Sequence, residues 1–259
     1  MNQLKAPVVS NIEVLADIYL MWLEAPSIAG EAKPGQFVMA NCGGDTYLPR
    51  PLSVHRVDGN QLALLFSVVG KGTTRLAQMG KGDTVSLFGP LGTGFSISER
   101  ARNLLLVAGG MGIAPLYFLA EVAAGQRKKV TLINGARSKD CLLPVSLPQK
   151  YYEKGLPPAG INVVAATDDG SEGFKGLATQ LIPHYLKGID QVFACGPVAM
   201  YRSMAKMAEL KGKDVQLSLE TMMGCGVGVC YGCTKKTKSG LKQVCKDGPV
   251  FEMGELEFE

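Results

Sequence analysis

Four cysteines within the last thirty-five positions constrain this chain more than any other feature. Cys225, Cys230 and Cys233 stand in a C-x4-C-x2-C run, and Cys245 follows after a longer loop. This is the plant-type [2Fe-2S] spacing. Two tetrahedral irons that share two sulfides leave four outer positions, which four thiolates fill. Gly224, Gly226, Gly228 and Gly232 lie among the cysteines. With so little side-chain bulk the backbone can curl round a cluster and turn N–H groups toward its sulfurs. The competing reading is a structural zinc site, but zinc knuckles pair two close C-x2-C units and only one pair here is that close. Four plain buried thiols are the third reading, against which the spacing and the glycines both argue. Of the other three cysteines, Cys42 and Cys141 have no companions and read as ordinary thiols, and Cys195 is treated below.

Composition narrows the remainder. The chain has 259 residues, 46% apolar and 19% charged, enough for two well-buried domains or one large one with an appendage. Seven cysteines without an export signal do not suggest a disulfide framework. Met1 to Pro7 has no apolar signal-peptide core, and apolar runs such as Leu104 to Ala108 are too short to span a bilayer. The expected location is the cytoplasm, with no membrane partner. The net charge of +4 is spread along the chain and gives no reason to expect nucleic acid.

Along the chain, Val54–Val57, Leu62–Val69 and Thr84–Phe88 are β-type runs, with Gly59-Asn60 a hairpin turn between the first two. Short strands at this spacing predict a small antiparallel barrel or sandwich. From Asn103 the pattern changes. Strands are expected at Asn103–Ala108, Val130–Asn134, Asn162–Thr167, Gln191–Ala194 and Val215–Leu219, with helices from the 109–112 glycine turn to about Ala124 and over Pro197–Lys211. Alternating strands and helices mean a doubly wound parallel sheet. The expected domains are 1–98, 99–219 and 220–259: a β-barrel, a nucleotide-binding α/β domain and a small C-terminal cluster domain.

Two glycine turns fall at strand–helix junctions. Gly109-Gly110-Met111-Gly112 follows Leu104–Ala108, and Cys195-Gly196-Pro197 follows Val192-Phe193-Ala194. Bare backbone at a helix N-terminus lets a pyrophosphate approach, and both turns lie at the ligand edge of such a sheet. An ordinary tight turn, and for Cys195 a small buried residue, are the alternatives. In the first half, Arg50-Pro51-Leu52-Ser53 enters a strand and Gly70-Lys71-Gly72-Thr73-Thr74 precedes a short helix. An arginine and a glycine loop with hydroxyls can hold a diphosphate between them; a surface charge and a hairpin are the plain readings.

Together these motifs resemble the ferredoxin–NADP reductase-like superfamily. More narrowly, the tail Leu219–Cys233 followed by Val244–Phe251 resembles the iron–sulfur electron-transfer subunits of class 1B dihydroorotate dehydrogenases, and the resemblance spans essentially the whole chain. It implies an FAD barrel in which Arg50 meets the diphosphate, Ser53 lies near the isoalloxazine, and Gly70, Gly72, Thr73 and Thr74 form the pyrophosphate loop. It implies an NAD site with Gly109, Gly110 and Gly112 as the glycine turn and Cys195, Gly196 and Pro197 beside the nicotinamide. Leu52 stands where the wider superfamily often has an aromatic residue. The resemblance also implies a partner: an FMN-containing dihydroorotate dehydrogenase catalytic subunit, two copies of each chain, acting in pyrimidine biosynthesis. No residue of this chain need then act on dihydroorotate, and His55 and His184 are read as structural or surface residues. The alternatives are the small subunit of an NADH-dependent ferredoxin–NADP oxidoreductase or of a sulfhydrogenase, and a non-enzymatic redox sensor. The first of these is expected to have a non-cysteine cluster ligand.

Two further expectations concern selectivity. Asp168-Asp169-Gly170-Ser171 follows the Asn162–Thr167 strand, where Asp168 would accept a ribose hydroxyl and repel a 2′-phosphate, favouring NADH. A solvated turn is the alternative, and Arg137 and Lys139 pull the other way. Lys235, Lys236, Lys238 and Lys242 make the loop between Cys233 and Cys245 basic, with Lys246 just beyond it. It is either a solvated face or a docking surface for the partner.

Overall fold

A computed structural model describes residues 1–143 and 160–258. The chain divides into two compact units, Met1–Gly94 with Leu219–Val250, and Phe95–Ser218 with Phe251–Glu259.

The first unit is built on a closed barrel of six strands: β1 (Asn2–Leu15), β2 (Ile18–Glu24), β3 (Phe37–Asn41), β4 (Arg50–Asp58), β5 (Gln61–Ser67) and β6 (Thr84–Leu91). They follow one another round the barrel as β1-β2-β5-β4-β3-β6, and every neighbouring pair is antiparallel. β1 serves two partners. Its first residues, to Pro7, pair with β6, and from Val8 onward it pairs with β2. Leu20, Leu23, Val38, Val54, Leu62, Val85 and Leu87 are fully buried in the core. Gly59, at a φ of 57°, makes the turn into β5 as its sequence suggested. Two short helices flank these strands, α1 (Pro26–Ala29) and α2 (Lys71–Ala77). The Asn11 amide of β1 donates to the carbonyls of Leu76, Ala77 and Met79 at 2.9–3.1 Å, tying down the C-terminal end of α2.

The second unit holds β7 (Asn103–Gly109), α3 (Ile113–Gly125), β8 (Lys129–Ala136), β9 (Ile161–Thr167), β10 (Phe174–Lys175), α4 (Ala178–Tyr185), β11 (Gln191–Cys195), α5 (Val198–Lys206) and β12 (Asp214–Ser218). Its sheet runs β10-β9-β8-β7-β11-β12, with β15 (Val250–Glu252) at the far edge. The pairs from β10 to β12 are parallel. Strand order reverses on either side of β7, so the crevice at the C-terminal ends of β7 and β11 is the switch point where such sheets take ligands. The second half of the fold class is therefore as expected.

Two helices differ from the sequence reading. The helix expected over Pro197–Lys211 ends at Lys206; Met207 turns to ψ 121° and Leu210 is buried at the end of a short 3-10 turn. The chain has to leave the helix there to enter β12. α4 was not foreseen, because Pro183 lies inside it and Gly173 and Gly176 precede it, all breaker signals. α3 is apolar on nearly every side and is buried from Ile113 to Ala120, as a core helix must be.

The segment entering the sheet is clasped by side chains. The Gln216 and Gln191 side chains accept from the N–H groups of Ser96 (2.9 Å) and Ser98 (2.8 Å). Lys128, only 7% exposed, donates to the carbonyls of Glu99 (2.9 Å) and Ala101. Phe95 meets Phe193 edge-on with centroids 5.6 Å apart. Replacing Lys128 with Met keeps the apolar stem and removes the charged donor. Lys128→Met is expected to lower stability by about 1.5–3 kcal/mol, read as a lower urea midpoint at unchanged m.

Candidate metal centre and nucleotide sites

After Leu219 the chain returns to the first unit. The Leu219 N–H donates to the Pro249 carbonyl (2.8 Å), closing the tail on itself, and the Thr93 N–H, just after β6, donates to the Gly248 carbonyl (2.6 Å). A Cβ on Gly226 would lie 2.6 Å from Met39 Cγ and 3.1 Å from Leu91 Cδ1. The cysteine loop therefore lies directly on β3 and β6, and only glycine fits where it touches. β13 (Thr234–Thr237) and β14 (Gly240–Gln243) form the expected basic hairpin, and α6 (Val244–Asp247) brings back the fourth cysteine.

The four thiols lie close enough to shift one another's titration: Cys230 acts on Cys225, and Cys233 and Cys225 act on Cys245. Among the described residues no three His, Cys, Asp or Glu side chains gather round one point as for a single ion. Backbone donors aim at the sulfurs: Val227 N–H (3.4 Å) and Val229 N–H (3.3 Å) at Cys225, Gly228 N–H (3.1 Å) at Cys245, and Cys245 N–H (3.4 Å) at Cys233. Positive φ at Gly226, Gly228 and Tyr231 turns the loop so that these groups point inward. At Cys225 burial opposes the thiolate, but the N–H groups of Val227, Cys230 and Val229 and the Cys230 thiol outweigh it and bring the pKa down to about 6. Burial, then the neighbouring Cys233, pushes Cys245 up to about 12. Four thiols this close cannot all ionise without added positive charge, which bound iron supplies. The four-thiol donor set and the N–H groups aimed at it fit a two-iron cluster. Cys233 and Cys245 are each 2% exposed, whereas Cys230 is exposed.

Arg50 and the glycine loop come together as the sequence suggested. A Cβ on Gly72 would lie 3.0 Å from Arg50 Nε, so the guanidinium passes directly over the start of α2 while donating to the Leu48 carbonyl (2.7 Å). Gly72, Thr73 and Thr74 lie within α2 rather than ahead of it. Thr73 shapes the loop: its hydroxyl accepts from the N–H groups of Val69 (2.9 Å) and Gly70 (3.2 Å) and donates to the Gly70 carbonyl. Pro51, Leu52 and Ser53 lie along β4, opposite Met39, Val38 and Phe37 of β3. Lys71 pairs with Asp45 (3.7 Å). A cleft of about 280 Å³ in the same unit is lined by Gln3, Met39, Asn41, Pro49 and Cys225, among others.

In the second unit the two glycine turns are in contact. A Cβ on Gly112 would run into the Cys195 carbonyl, and one on Gly109 would lie 2.9 Å from Pro197 Cδ. Gly196 approaches Gly109 Cα to 3.2 Å by the same measure. Cys195 is 1% exposed and pairs in register with Ala108. Gly110, at a φ of 55°, faces open space. Tyr201, which the sequence reading passed over, braces this crossing: its hydroxyl accepts from the Gly196 N–H (2.8 Å) and donates to the Ser218 carbonyl (2.6 Å). Asp168 lies exposed just beyond β9. The Ser171 hydroxyl and N–H bond to the Asp169 carboxylate and lower its pKa, and Lys139 pairs with Glu172 (3.6 Å).

Known proteins carry the same combination. Residues 220–257 match the iron–sulfur cluster binding domain of dihydroorotate dehydrogenase B, and residues 106–206 match the oxidoreductase NAD-binding domain. The dihydroorotate dehydrogenase B (NAD(+)) electron transfer subunit of Desulforamulus reducens is 38% identical over 98% of both chains. That of Caldanaerobacter subterraneus subsp. tengcongensis is 36% identical over 99% of both. The chain belongs to this family. It is thus an oxidoreductase electron-transfer subunit with an iron–sulfur-binding and an NAD-binding domain. All four tail cysteines fall inside the first matched segment, and Gly109, Gly110, Gly112, Asp168, Cys195, Gly196 and Pro197 inside the second. Among solved structures, that of an NADH-dependent reduced ferredoxin–NADP oxidoreductase superposes with a TM-score of 0.84 at 30% identity, covering 98% of this chain and 90% of that one. A ferredoxin NADP+ reductase from Neisseria gonorrhoeae (TM-score 0.62, 19% identity, covering 78% and 89%) shares the fold.

The contact at Gly112 yields a graded expectation. Gly112→Ala should cost about 1–3 kcal/mol or more through overpacking and abolish NADH binding. Tyr201→Phe should cost about 1–3 kcal/mol, because it strips two buried backbone groups of their partner, and raise the KM for NADH. Thermal unfolding and steady-state NADH oxidation measure both.

Proposed function

We propose that this subunit links a dihydroorotate-oxidising, FMN-containing catalytic partner to NAD+, within the cytoplasm and in an assembly of two copies of each chain. Cys225, Cys230, Cys233 and Cys245 hold a [2Fe-2S] cluster on the segment 220–259. Arg50, Pro51, Leu52, Ser53 and the loop Gly70, Lys71, Gly72, Thr73 and Thr74 hold FAD on the segment 1–98. Gly109, Gly110, Gly112, Cys195, Gly196, Pro197 and Asp168 hold NAD(H) on the segment 99–219. When bound, FAD supplies hydride exchange with the nicotinamide and single-electron exchange with the cluster. The protein's work is to position these groups. Arg50 meets the diphosphate charge, the 109–112 turn keeps side chains out of the path of the nucleotide, and Tyr201 fixes the Cys195–Gly196 backbone beside it. Among the described residues no helix is long and apolar enough to cross a membrane.

The observation that carries the partner reading is the surface at the cluster. Val229 is 73% exposed and Tyr231 71%, on either side of exposed Cys230, with Met222 and Leu241 exposed on the same segment. A run of apolar residues beside a redox ligand suits a covered interface. On the hairpin Lys235 stands directly opposite Lys242. Facing like charges destabilise a hairpin, and an acidic partner relieves that repulsion. The 30% identity to the NADH-dependent ferredoxin–NADP oxidoreductase chain supports a second reading, a related flavin and iron–sulfur subunit with another partner.

The two readings separate on reconstitution. The chain and an FMN-containing dihydroorotate-oxidising subunit should form one complex with dihydroorotate-to-NAD+ turnover. A stable complex lacking that turnover favours the second reading. Lys→Glu changes at 235, 238 and 242 should weaken assembly at least about tenfold in a salt-dependent manner while leaving NADH reduction of the flavin unchanged. Asp168 and the Lys139–Glu172 pair, which withdraws one cation from a 2′-phosphate, support NADH as the nucleotide. The kcat/KM for NADH should exceed that for NADPH, and Asp168→Ser should narrow the ratio by about five- to tenfold, the effect of removing one exposed carboxylate.

A further inference from the structure

Arg75 has no role in the arrangement above, yet the fold makes room for it. It extends from α2 over the loop after β3 and lays its guanidinium on the backbone of Gly43 and Gly44. A Cβ on Gly44 would lie 2.9 Å from Arg75 Cζ and collide with Nη1, and one on Gly43 would lie 3.6 Å from Nε. Both glycines have positive φ, 69° and 61°, so any other residue would be strained there as well as in the way. The acid of this loop, Asp45, is paired with Lys71 at 3.7 Å, and Arg75 makes no ion pair among the described residues. Arg50 enters the same region over Gly72. Burial raises the pKa of the Cys42 thiol, and the charges of Arg50 and then Arg75 offset part of that rise, so both cations lie within range of one buried atom.

We propose that Arg75 is a second cationic ligand of the FAD diphosphate, set beside Arg50 across the Gly70–Thr74 loop. This rests on the FAD reading above. A diphosphate in a dinucleotide carries two negative charges, and one guanidinium matches one of them. The loop's hydroxyl protons do not supply the rest, because Thr73 and Thr74 both donate to the Gly70 carbonyl (3.0 and 3.1 Å). The N–H groups of Val69 and Gly70 are likewise turned onto Thr73. A guanidinium already lying on a glycine shelf loses less freedom on binding than one free in solvent, and its planar fork matches phosphate oxygens.

The test is flavin affinity, measured by titrating FAD and FMN into the flavin-depleted full chain with its cluster intact. Arg75→Gln should weaken FAD binding about ten- to a hundredfold, the range of a lost charge-assisted contact. FMN, with one phosphate, should lose less. Arg75→Lys should recover part of the loss, and the salt dependence of FAD binding should flatten in Arg75→Gln. Unchanged iron content and far-UV dichroism establish that the variants fold. FAD affinity within twofold of wild type in Arg75→Gln overturns the proposal and leaves the FAD reading standing. Equal losses of FAD and FMN, with Lys no better than Gln, show a collapsed loop and also overturn it. A wild-type chain that prefers FMN or binds no flavin removes the FAD reading and this proposal with it.

Discussion

Four sulfurs crowded into one short loop are an electrostatic problem before they are a metal site. The loop answers it with backbone rather than side chains: N–H groups from 227, 228, 229 and 245 point at three of the four sulfurs. That requires positive φ at Gly226 and Gly228, and Gly226 is also where the loop lies against Met39 and Leu91. One residue thus serves both curvature and docking, and a substitution there would damage the cluster environment and the packing together. The opposed pKa shifts of Cys225 and Cys245, to about 6 and about 12, express the same conflict. Metal charge is the term that lets all four ionise at once.

The second unit uses bare backbone for a different end. Where β7 and β11 finish side by side, Gly112 sits against the Cys195 carbonyl with no room for a methyl group. Two strand–helix turns can then open on one crevice instead of one screening the other. The cost is a crossing made of main chain, with N–H and C=O groups that need partners. Tyr201 supplies one to the Gly196 N–H and the Ser218 carbonyl from a fully packed position. The glycines open the crevice and Tyr201 fixes its backbone, so the shape of the crevice rests on a residue with no chemistry of its own to perform.

How much of this was legible follows from what each feature leaves in sequence. Cysteine spacing, glycine turns and continuous apolar runs are local, and they gave the barrel, the parallel sheet and both turn positions. That Arg50 and the Gly70–Thr74 loop share a site, and that both glycine turns lie at one sheet edge, was inferred only from their place in a fold, and the direct contact of Gly112 with the Cys195 carbonyl was not foreseen. Features that depend on distant partners were not legible. Tyr201 looks like any helix residue until β12 brings the Ser218 carbonyl to it. Gly43 and Gly44 carry no signal of their own until Arg75 is seen lying on them. Pro183 hid α4, since a proline there argues against a helix unless tertiary packing overrides propensity.

The chain's path ties these parts together. The first unit is made of 1–94 and 219–250, the second of 95–218 and 251–259, so the polypeptide visits each unit twice. The cysteine loop cannot dock on the barrel until the whole α/β segment has been made, and the last residues then return to the second unit, where Phe258 reaches the ring of Tyr201 at 6.0 Å. Contacts this far apart in sequence form late and hold the two ends of a segment at once. The same threading explains why the cluster follows the α/β segment in sequence yet packs with the barrel. A loop closed on itself by Leu219 and Pro249 is tied to the barrel segment where Gly248 meets Thr93. Such an anchor gives a rigid position to a group whose function is to exchange electrons at a defined distance.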